Sequence, residues 1–452
     1  MISEKELKAK KHIHFIGIGG SGMYPMVQIL AREGYHITGS DNNETETTKA
    51  ERAMGIEVTI GQCAGNIGDA DLIIYTTAVM DDNPELIAAR ASGADCLERA
   101  DMLGLLTRRY GRCVCVAGTH GKTTTSAMTA EVLLKSGLDP SAFIGGKVRS
   151  LGGSGRAGGS DIFVVEACEF RDHFLKLAND ISVILNIDND HLDYFGTIEN
   201  SIKSFRTFAQ HSTGPVIANG GDANTMKAVK GLPNVITFGW SDTNDYWPAN
   251  VHSLGGAKSS YTLMHGDREL CEVVLSIPGR HNVLNSVASA VVCMLCGATP
   301  EQFALYAADF PGAGRRFEIL GEVGGVTIAD DYGHHPAELA ATLKAAKEMD
   351  FKEVWAVFQP FTFSRTAMLL DDFASALSIA DHVVMSEIMG SREKNTYNIY
   401  TKDLAEKIPG SVWFNTFREI ADYTLAHAKP GDLVITMGCG DIYKCAYMMV
   451  GK

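Results

Sequence analysis

Two glycine-rich turns, each set between an apolar run and a helix-like run, constrain this 452-residue chain more than any other feature. The first is HFIGIGGSGM at 14–23 and the second is CVCVAGTHGKTTTSAM at 113–128. An apolar strand that feeds glycines into the start of a helix is the repeating unit of a parallel α/β sheet. Around the first turn the pattern predicts a strand at 12–18, a helix at 21–33, and further strands in YHITGSD and at 69–79. A second block opens with a strand at 113–117 and a helix from Lys122, followed by strands at 161–167 and 181–187. Between them, GGKVRSLGGSGRAGGS at 145–160 is expected to be a mobile loop. The composition breaks at DFPGAGRR (309–316). After it, GVTIADDYG, EVWAVFQP, DHVVMSEI and DLVITMGCGD predict the strands of a third α/β block. No internal repeat is visible.

Composition serves mainly to exclude. With 45% hydrophobic and 21% charged residues and a formal net charge of −14, a broad basic surface for nucleic acid is not expected. The opening MISEKELKAKKHIHF is charged and lacks the apolar core of a signal peptide, and no apolar run is long enough to span a membrane. The ten cysteines are scattered through apolar segments, which fits a reduced cytoplasm. Cys293 and Cys296 form a C-x-x-C inside an apolar helical run with no second pair nearby, so buried thiols are favoured over a metal or redox site.

Gly17-x-Gly19-x-x-Gly22, with Asp41 closing the next strand, is a dinucleotide-type fingerprint. The glycines admit close backbone approach to a pyrophosphate and the acid suits a ribose. Alone, the turn does not separate a nicotinamide cofactor from another nucleotide diphosphate. The second turn is more specific. Gly118-Thr119-His120-Gly121-Lys122-Thr123-Thr124 reads as a shortened P-loop. Its backbone N–H groups cradle phosphates, Lys122 neutralises the terminal ones, and Thr123 is placed to hold Mg²⁺. Glu166 and His191 each lie just past a strand, where open α/β sheets place ligands. Glu166 is the natural Mg²⁺ donor. His191 stands either in the site or as a loop cap, and Asp188, Asp190 and Asp193 either join it or are solvated acids. In the third block, Asp331 can accept from a ribose hydroxyl and Arg365 can pair with a carboxylate as a planar fork.

Taken in order, HFIGIGGSGM, AGTHGKTTTSAM, EACEFRDHFL, NIDNDHLDYFG, GRHNVLN, GRRFEILGE, DDYGHHPAE and QPFTFSRT resemble the Mur ligase family over nearly the whole chain. The resemblance implies three α/β domains. They are a Rossmann-like UDP-binding domain (1–109), a central P-loop ATPase-type domain (110–314) and a C-terminal Rossmann-like domain (315–452). It implies an enzyme that phosphorylates the lactyl carboxylate of UDP-N-acetylmuramic acid with ATP and Mg²⁺ and couples the acyl phosphate to L-alanine, as a monomer or homodimer. It assigns Gly17, Gly19, Gly20, Ser21, Gly22, Met23, Ser40 and Asp41 to the UDP substrate. Lys122, Glu166 and His191 become catalytic, the last two with Thr123 at the metal. His281, Asn282, Asn285, Arg316 and Asp331 join the P-loop around ATP, and Tyr332, His334 and Arg365 line the amino-acid side. Two residues depart from the family pattern: Phe361 where relatives commonly have His, and Cys168 where many have Asp. Sister ligases that add later residues carry a carbamoylated lysine after the motif histidine. Counted from His191, that position here is Phe205, on the stripe Ile198, Ile202, Phe205, Phe208 of a predicted helix. Lys203 leaves that helix about 200° away. No carbamate is expected.

Overall fold

The computed structural model describes residues 2–190, 192–391 and 393–451, and their strands gather into three sheets. The first contains β1 (His12–Ile16), β2 (His36–Asp41), β3 (Glu57–Ile60), β4 (Leu72–Tyr75) and β5 (Asp95–Glu98). Their order is β3-β2-β1-β4-β5, with every pairing parallel. The order reverses beside β1, so the first glycine turn lies at the switch point, outside the strand ends, where such sheets bind ligands.

The second sheet contains β6 (Arg112–Ala117), β7 (Ser141–Val148), β8 (Gly153–Arg156), β9 (Ile162–Glu166) and β10 (Ile181–Ile184). It continues through β11 (Val216–Asn219), β12 (Val235–Phe238), β13 (Tyr246–Gly255), β14 (Lys258–His265) and β15 (Arg268–Leu275). The order is β15-β14-β13-β12-β11-β10-β6-β9-β7-β8. β6 is buried from Cys113 to Ala117, as befits a strand covered on both faces. It pairs in parallel with β9 and β10, so the second glycine turn also leaves a switch point. The third sheet contains β16 (Glu318–Val323), β17 (Val326–Asp331), β18 (Val354–Phe358), β19 (His382–Ser386), β20 (Val412–Phe414) and β21 (Leu433–Met437). Its order is β16-β17-β21-β18-β19-β20, with only β16 antiparallel.

The segment 145–160 corrects the sequence expectation. It contains the end of β7 and all of β8, which pair antiparallel, rather than a loop. Its glycines meet close packing. A Cβ on Gly153 would lie 2.9 Å from the Tyr24 ring, and one on Gly155 would lie 2.5 Å from Pro25. Only a bare backbone lets helix Tyr24–Arg32 lie against β8.

The chain divides into two compact units. One comprises Met1–Ala249, Leu263–Cys271 and Leu284–Ala307, and the other Asn250–Thr262, Glu272–Val283 and Ala308–Lys452. In the first unit a single apolar core runs from Leu7, Phe15 and Leu30 to Phe163, Phe174 and Phe205, joining the first two sheets. Polar ties reinforce it. The Ser154 hydroxyl donates to the Ser21 carbonyl at 2.8 Å, Arg109 pairs with Glu33 at 2.6 Å, and Lys176 pairs with Asp101 at 2.8 Å. The second unit packs apolar residues on both faces of its sheet, among them Phe358 and Leu433 on one face and Trp355 and Val434 on the other.

Helix Ile198–Gln210 starts at Thr197, whose side chain accepts the Asn200 N–H, and it buries Phe205 and Phe208 against Phe174. Cys293 and Cys296 are both buried, as expected for thiols on an apolar helix face. Among the described residues no helix is long and apolar enough to cross a membrane. A buried carboxylate breaks the usual pairing rule. Glu51 in helix Glu46–Ala53 is fully buried, and among the described residues neither of its carboxylate oxygens has a hydrogen-bond partner. Burial first, and then the nearby Asp41, pushes its pKa up to about 8.

Candidate active site

The second glycine turn is shaped by sterics. Gly118 and Gly121 take φ values of 143° and 86°. A Cβ on Gly121 would lie 2.6 Å from Asn285 Oδ1, so the turn accepts no side chain there. Asn186, just past β10, clamps the turn. Its carbonyl accepts the Thr119 N–H at 3.0 Å, its Oδ1 accepts the His120 N–H at 2.8 Å, and its Nδ2 donates to the His120 carbonyl at 3.0 Å. The Thr119 hydroxyl accepts the Asp188 N–H at 2.9 Å. Helix Lys122–Lys135 starts immediately after, and the first N–H groups of a helix are open to an anion.

Lys122 Nζ donates to the Gly118 and Thr119 carbonyls and pairs with both oxygens of Glu169, at 3.1 and 3.0 Å. Burial alone would lower its pKa; the Glu169 carboxylate, with Glu166 further off, more than reverses this and holds the ammonium above its ordinary value. Lys122 is therefore a held positive charge. Glu169 and Asn186 were not singled out from the sequence. They lie 47 and 66 residues from the groups they hold, and their only signal is a polar residue just past a strand.

Glu166 ends β9, and its Oε2 accepts the Gly145 N–H at 2.8 Å. A Cβ on Gly145 would sit 2.5 Å from Oε1, so the glycine makes a cradle for the carboxylate. Thr123, in the first turn of the helix, is buried. A carboxylate and a hydroxyl are oxygen donors of the kind Mg²⁺ takes when nucleotide phosphates and water complete its shell. Among the described residues no group of three His, Cys, Asp or Glu is placed to hold a metal ion. His191 lies outside the described residues. Burial raises the Cys168 thiol to about 11, so the residue departing from the family pattern here is a neutral group beside Glu169.

At the first turn, the Gly17 and Ile18 N–H groups donate to the Ser40 carbonyl at 2.8 and 2.9 Å, and Gly19 donates to Asp41 Oδ2 at 3.0 Å. Gly20 accepts the Met23 N–H at 2.8 Å, and Met23 is in the core. Ser40 is buried, and its hydroxyl donates to Glu85, which also contacts His14 at 2.6 Å. Ser40 and Met23 thus brace the turn from beneath, while Ser21 is exposed on it. Arg99 lies against Gly22, a neighbour unforeseen in the sequence.

In the second unit the residues expected around ATP and the amino acid cluster past the ends of the sheet strands. Asp331 ends β17, accepting the Gly333 N–H at 2.7 Å and the Phe317 N–H at 2.8 Å. Burial raises its pKa, and Arg316 opposes that rise. Arg316 lies over the Tyr332 ring at 5.3 Å, and Tyr332 meets His334 edge to face at 5.6 Å. Burial pushes the Cys439 thiol up to about 12, with Arg365 the leading opposing charge, so Arg365 reaches the same neighbourhood. Phe361 lies one residue before Thr362, the cap of helix Phe363–Met368. Gln359, also missed, ties the end of β18 to Asp441 and Ile442. Helix Arg280–Leu295 carries the three residues expected on the adenine side. Asn285 abuts Gly121 in the first unit; in the second, Asn282 donates to the Pro278 carbonyl at 2.7 Å and His281 is exposed beside Gly279.

Comparison with known proteins covers the same three blocks. Models described as the Mur ligase catalytic domain, middle domain and glutamate ligase domain match residues 12–111, 116–293 and 315–440. A UDP-N-acetylmuramate–L-alanine ligase from Agathobacter rectalis is 43% identical, over 98% of each chain. One from Caldanaerobacter subterraneus is 42% identical, over 98% of this chain and 97% of its own. The crystal structure of the UDP-N-acetylmuramate–alanine ligase of Thermotoga maritima superposes with a TM-score of 0.84 at 28% identity, covering 98% of both chains. A murein peptide ligase from Psychrobacter arcticus shares the fold, with a TM-score of 0.74 at 22% identity. With all three domain models matched in order and relatives aligned end to end, the chain belongs to the Mur ligase family.

Proposed function

We propose that this chain joins L-alanine to UDP-N-acetylmuramic acid at the expense of ATP, in the synthesis of a cytoplasmic peptidoglycan precursor. The observation that carries the reading is end-to-end likeness to relatives of that name, in a chain that retains the phosphate loop and its lysine. The lactyl carboxylate oxygen forms a bond to the γ-phosphorus of ATP as the bond to ADP breaks. The resulting acyl phosphate has a good leaving group, which a free carboxylate lacks. The alanine amine then forms the amide bond to the acyl carbon, phosphate departs with the electron pair of the broken C–O bond, and the amine loses a proton to solvent.

The residues perform binding and charge control. The loop 118–124 holds the phosphates, with the Thr119 and His120 N–H groups spent on Asn186 to shape it, and Lys122 offsets the repulsion between the carboxylate and the triphosphate. Glu169 keeps that lysine charged and aimed. Thr123 and Glu166, with His191, would hold Mg²⁺, which when bound neutralises phosphate oxygens. The turn at 17–22 holds the UDP pyrophosphate, with Asp41 on its sugar side. Asn285, with His281 and Asn282, serves the adenine side. Arg316 and Asp331 serve ATP, and Tyr332, His334 and Arg365 serve alanine, Arg365 pairing with its carboxylate. We take the domain limits as 1–109, 110–314 and 315–452.

The test is phosphate release from ATP with UDP-N-acetylmuramic acid and a panel of amines. Release stimulated by L-alanine, and not by a murein tripeptide, is expected. A preference for the tripeptide would make this chain a peptide-recycling ligase instead.

A further inference from the structure

One charged side chain at the first glycine turn has no hydrogen-bond or ion-pair partner among the described residues. Arg99 opens helix Arg99–Thr107 and reaches back to the turn. Its Nη1 is 3.2 Å, its Cδ 3.4 Å and its Cζ 3.6 Å from where a Cβ on Gly22 would stand. The missing side chain at Gly22 is what lets the guanidinium approach the backbone. On another side it meets the Phe143 ring, with Cζ 5.9 Å from the centroid. Among the described residues it makes no hydrogen bond and no ion pair. The neighbouring Glu98 is engaged instead by His173 at 3.2 Å. Burial lowers the pKa of Arg99, with Cys168 and Glu98 opposing. A half-buried guanidinium without an acceptor is unfavourable unless something else supplies one.

The turn beside it is also unfinished. Gly17, Ile18 and Gly19 spend their N–H groups on Ser40 and Asp41, and Gly20 and Met23 spend theirs within the turn. The Ser21 and Gly22 N–H groups donate to nothing among the described residues. Two open backbone donors next to a planar fork of five further donors form a receptor for an oxyanion. ATP is not the natural occupant, because the phosphate loop at 118–124 carries its own cation in Lys122.

We propose that Arg99 is a binding residue for the sugar nucleotide, receiving one of its anionic groups together with the Ser21 and Gly22 N–H groups. The assignment rests on the functional reading above. The substrate carries two anions of suitable chemistry, the pyrophosphate and the lactyl carboxylate. The guanidinium suits either, because it pairs with phosphate and carboxylate oxygens in the same forked geometry.

Calorimetric titration of the full chain separates the cases. The ligands are UDP-N-acetylmuramic acid, UDP-N-acetylglucosamine, which lacks the lactyl carboxylate, and ATP. The proteins are wild type, Arg99→Met and Arg99→Lys. Arg99→Met is expected to weaken sugar-nucleotide binding about 10- to 100-fold and leave ATP binding unchanged. Arg99→Lys should restore part of the loss, since charge is kept and the fork is not. Equal loss for both UDP sugars places Arg99 at the pyrophosphate, and loss for the muramic compound alone places it at the carboxylate. Unchanged affinity for both overturns the proposal. So does a loss that extends equally to ATP and is not relieved by lysine, which would make Arg99 a packing residue. If the wild type binds neither UDP sugar, the functional reading fails and this assignment fails with it.

Discussion

At the scale of single residues, Glu51 separates burial from pairing most cleanly. It is fully buried, its oxygens accept no hydrogen bond from the described residues, and burial with Asp41 nearby pushes its pKa up to about 8. The folded chain therefore holds a proton on Glu51 that the unfolded chain releases near its ordinary value. Between those two values the folded state binds more protons, so stability falls as pH rises. The contribution is fully present below the unfolded pKa and declines until the folded pKa is reached, by up to about 1.4 kcal/mol per pH unit. Glu51→Gln keeps the shape without the acid. We expect its unfolding free energy to fall less between pH 5 and 8 than that of wild type, so that the variant gains on wild type by several kcal/mol at most. Parallel urea melts across that range check this, and identical slopes would mean that Glu51 has water or a partner.

The residue scale also shows what was legible in the sequence. The positions of Lys122 and Glu166 were readable because each sits at a fixed offset from a local event, a strand ending at a helix or a loop. Glu169, Asn186 and Arg99 were not readable, because their roles exist only when strands distant in sequence align and bring them to Lys122, His120 and Gly22.

At the scale of elements, the same distinction explains a success and a failure. Helix Ile198–Gln210 was visible because apolar residues recur at its own period, and Phe205 is buried while Lys203 is exposed. The strand β8 was hidden, because the three glycines in Gly152-Gly153-Ser154-Gly155-Arg156 look like freedom. Two of them, Gly153 and Gly155, are a condition of contact with Tyr24 and Pro25, which belong to a helix in another domain of the family fold. The placement of Phe205 leads to a prediction about this helix. With Phe205 packed edge to face on Phe174 at 5.1 Å, the position taken by a carbamoylated lysine in sister enzymes is part of the core. Activity should be unchanged when bicarbonate and CO₂ are removed from the assay, and Lys203→Ala should retain it. A bicarbonate-dependent loss, or a Lys203→Ala defect rescued by short carboxylic acids, would show that another lysine serves the metal.

At the scale of the whole molecule, the order of eight short motifs along the chain was enough to foresee three α/β blocks, and the three sheets follow that order. What the motifs did not carry was how the blocks merge. The first two sheets share one apolar core, and the segments 250–262 and 272–283 join the C-terminal unit. Such divisions depend on how apolar surface is shared between sheets, which no single segment encodes.

The central claim is that ATP is spent on making an acyl phosphate of the substrate's own carboxylate. It is tested most directly with UDP-N-acetylmuramic acid carrying ¹⁸O in the lactyl carboxylate, incubated with ATP and L-alanine. Attack by that oxygen on the γ-phosphorus, followed by amine attack on the acyl carbon, must leave one carboxylate oxygen in the released phosphate. Mass analysis should find one ¹⁸O per phosphate formed; phosphate without the label, in a reaction that still makes the amide, would contradict the account.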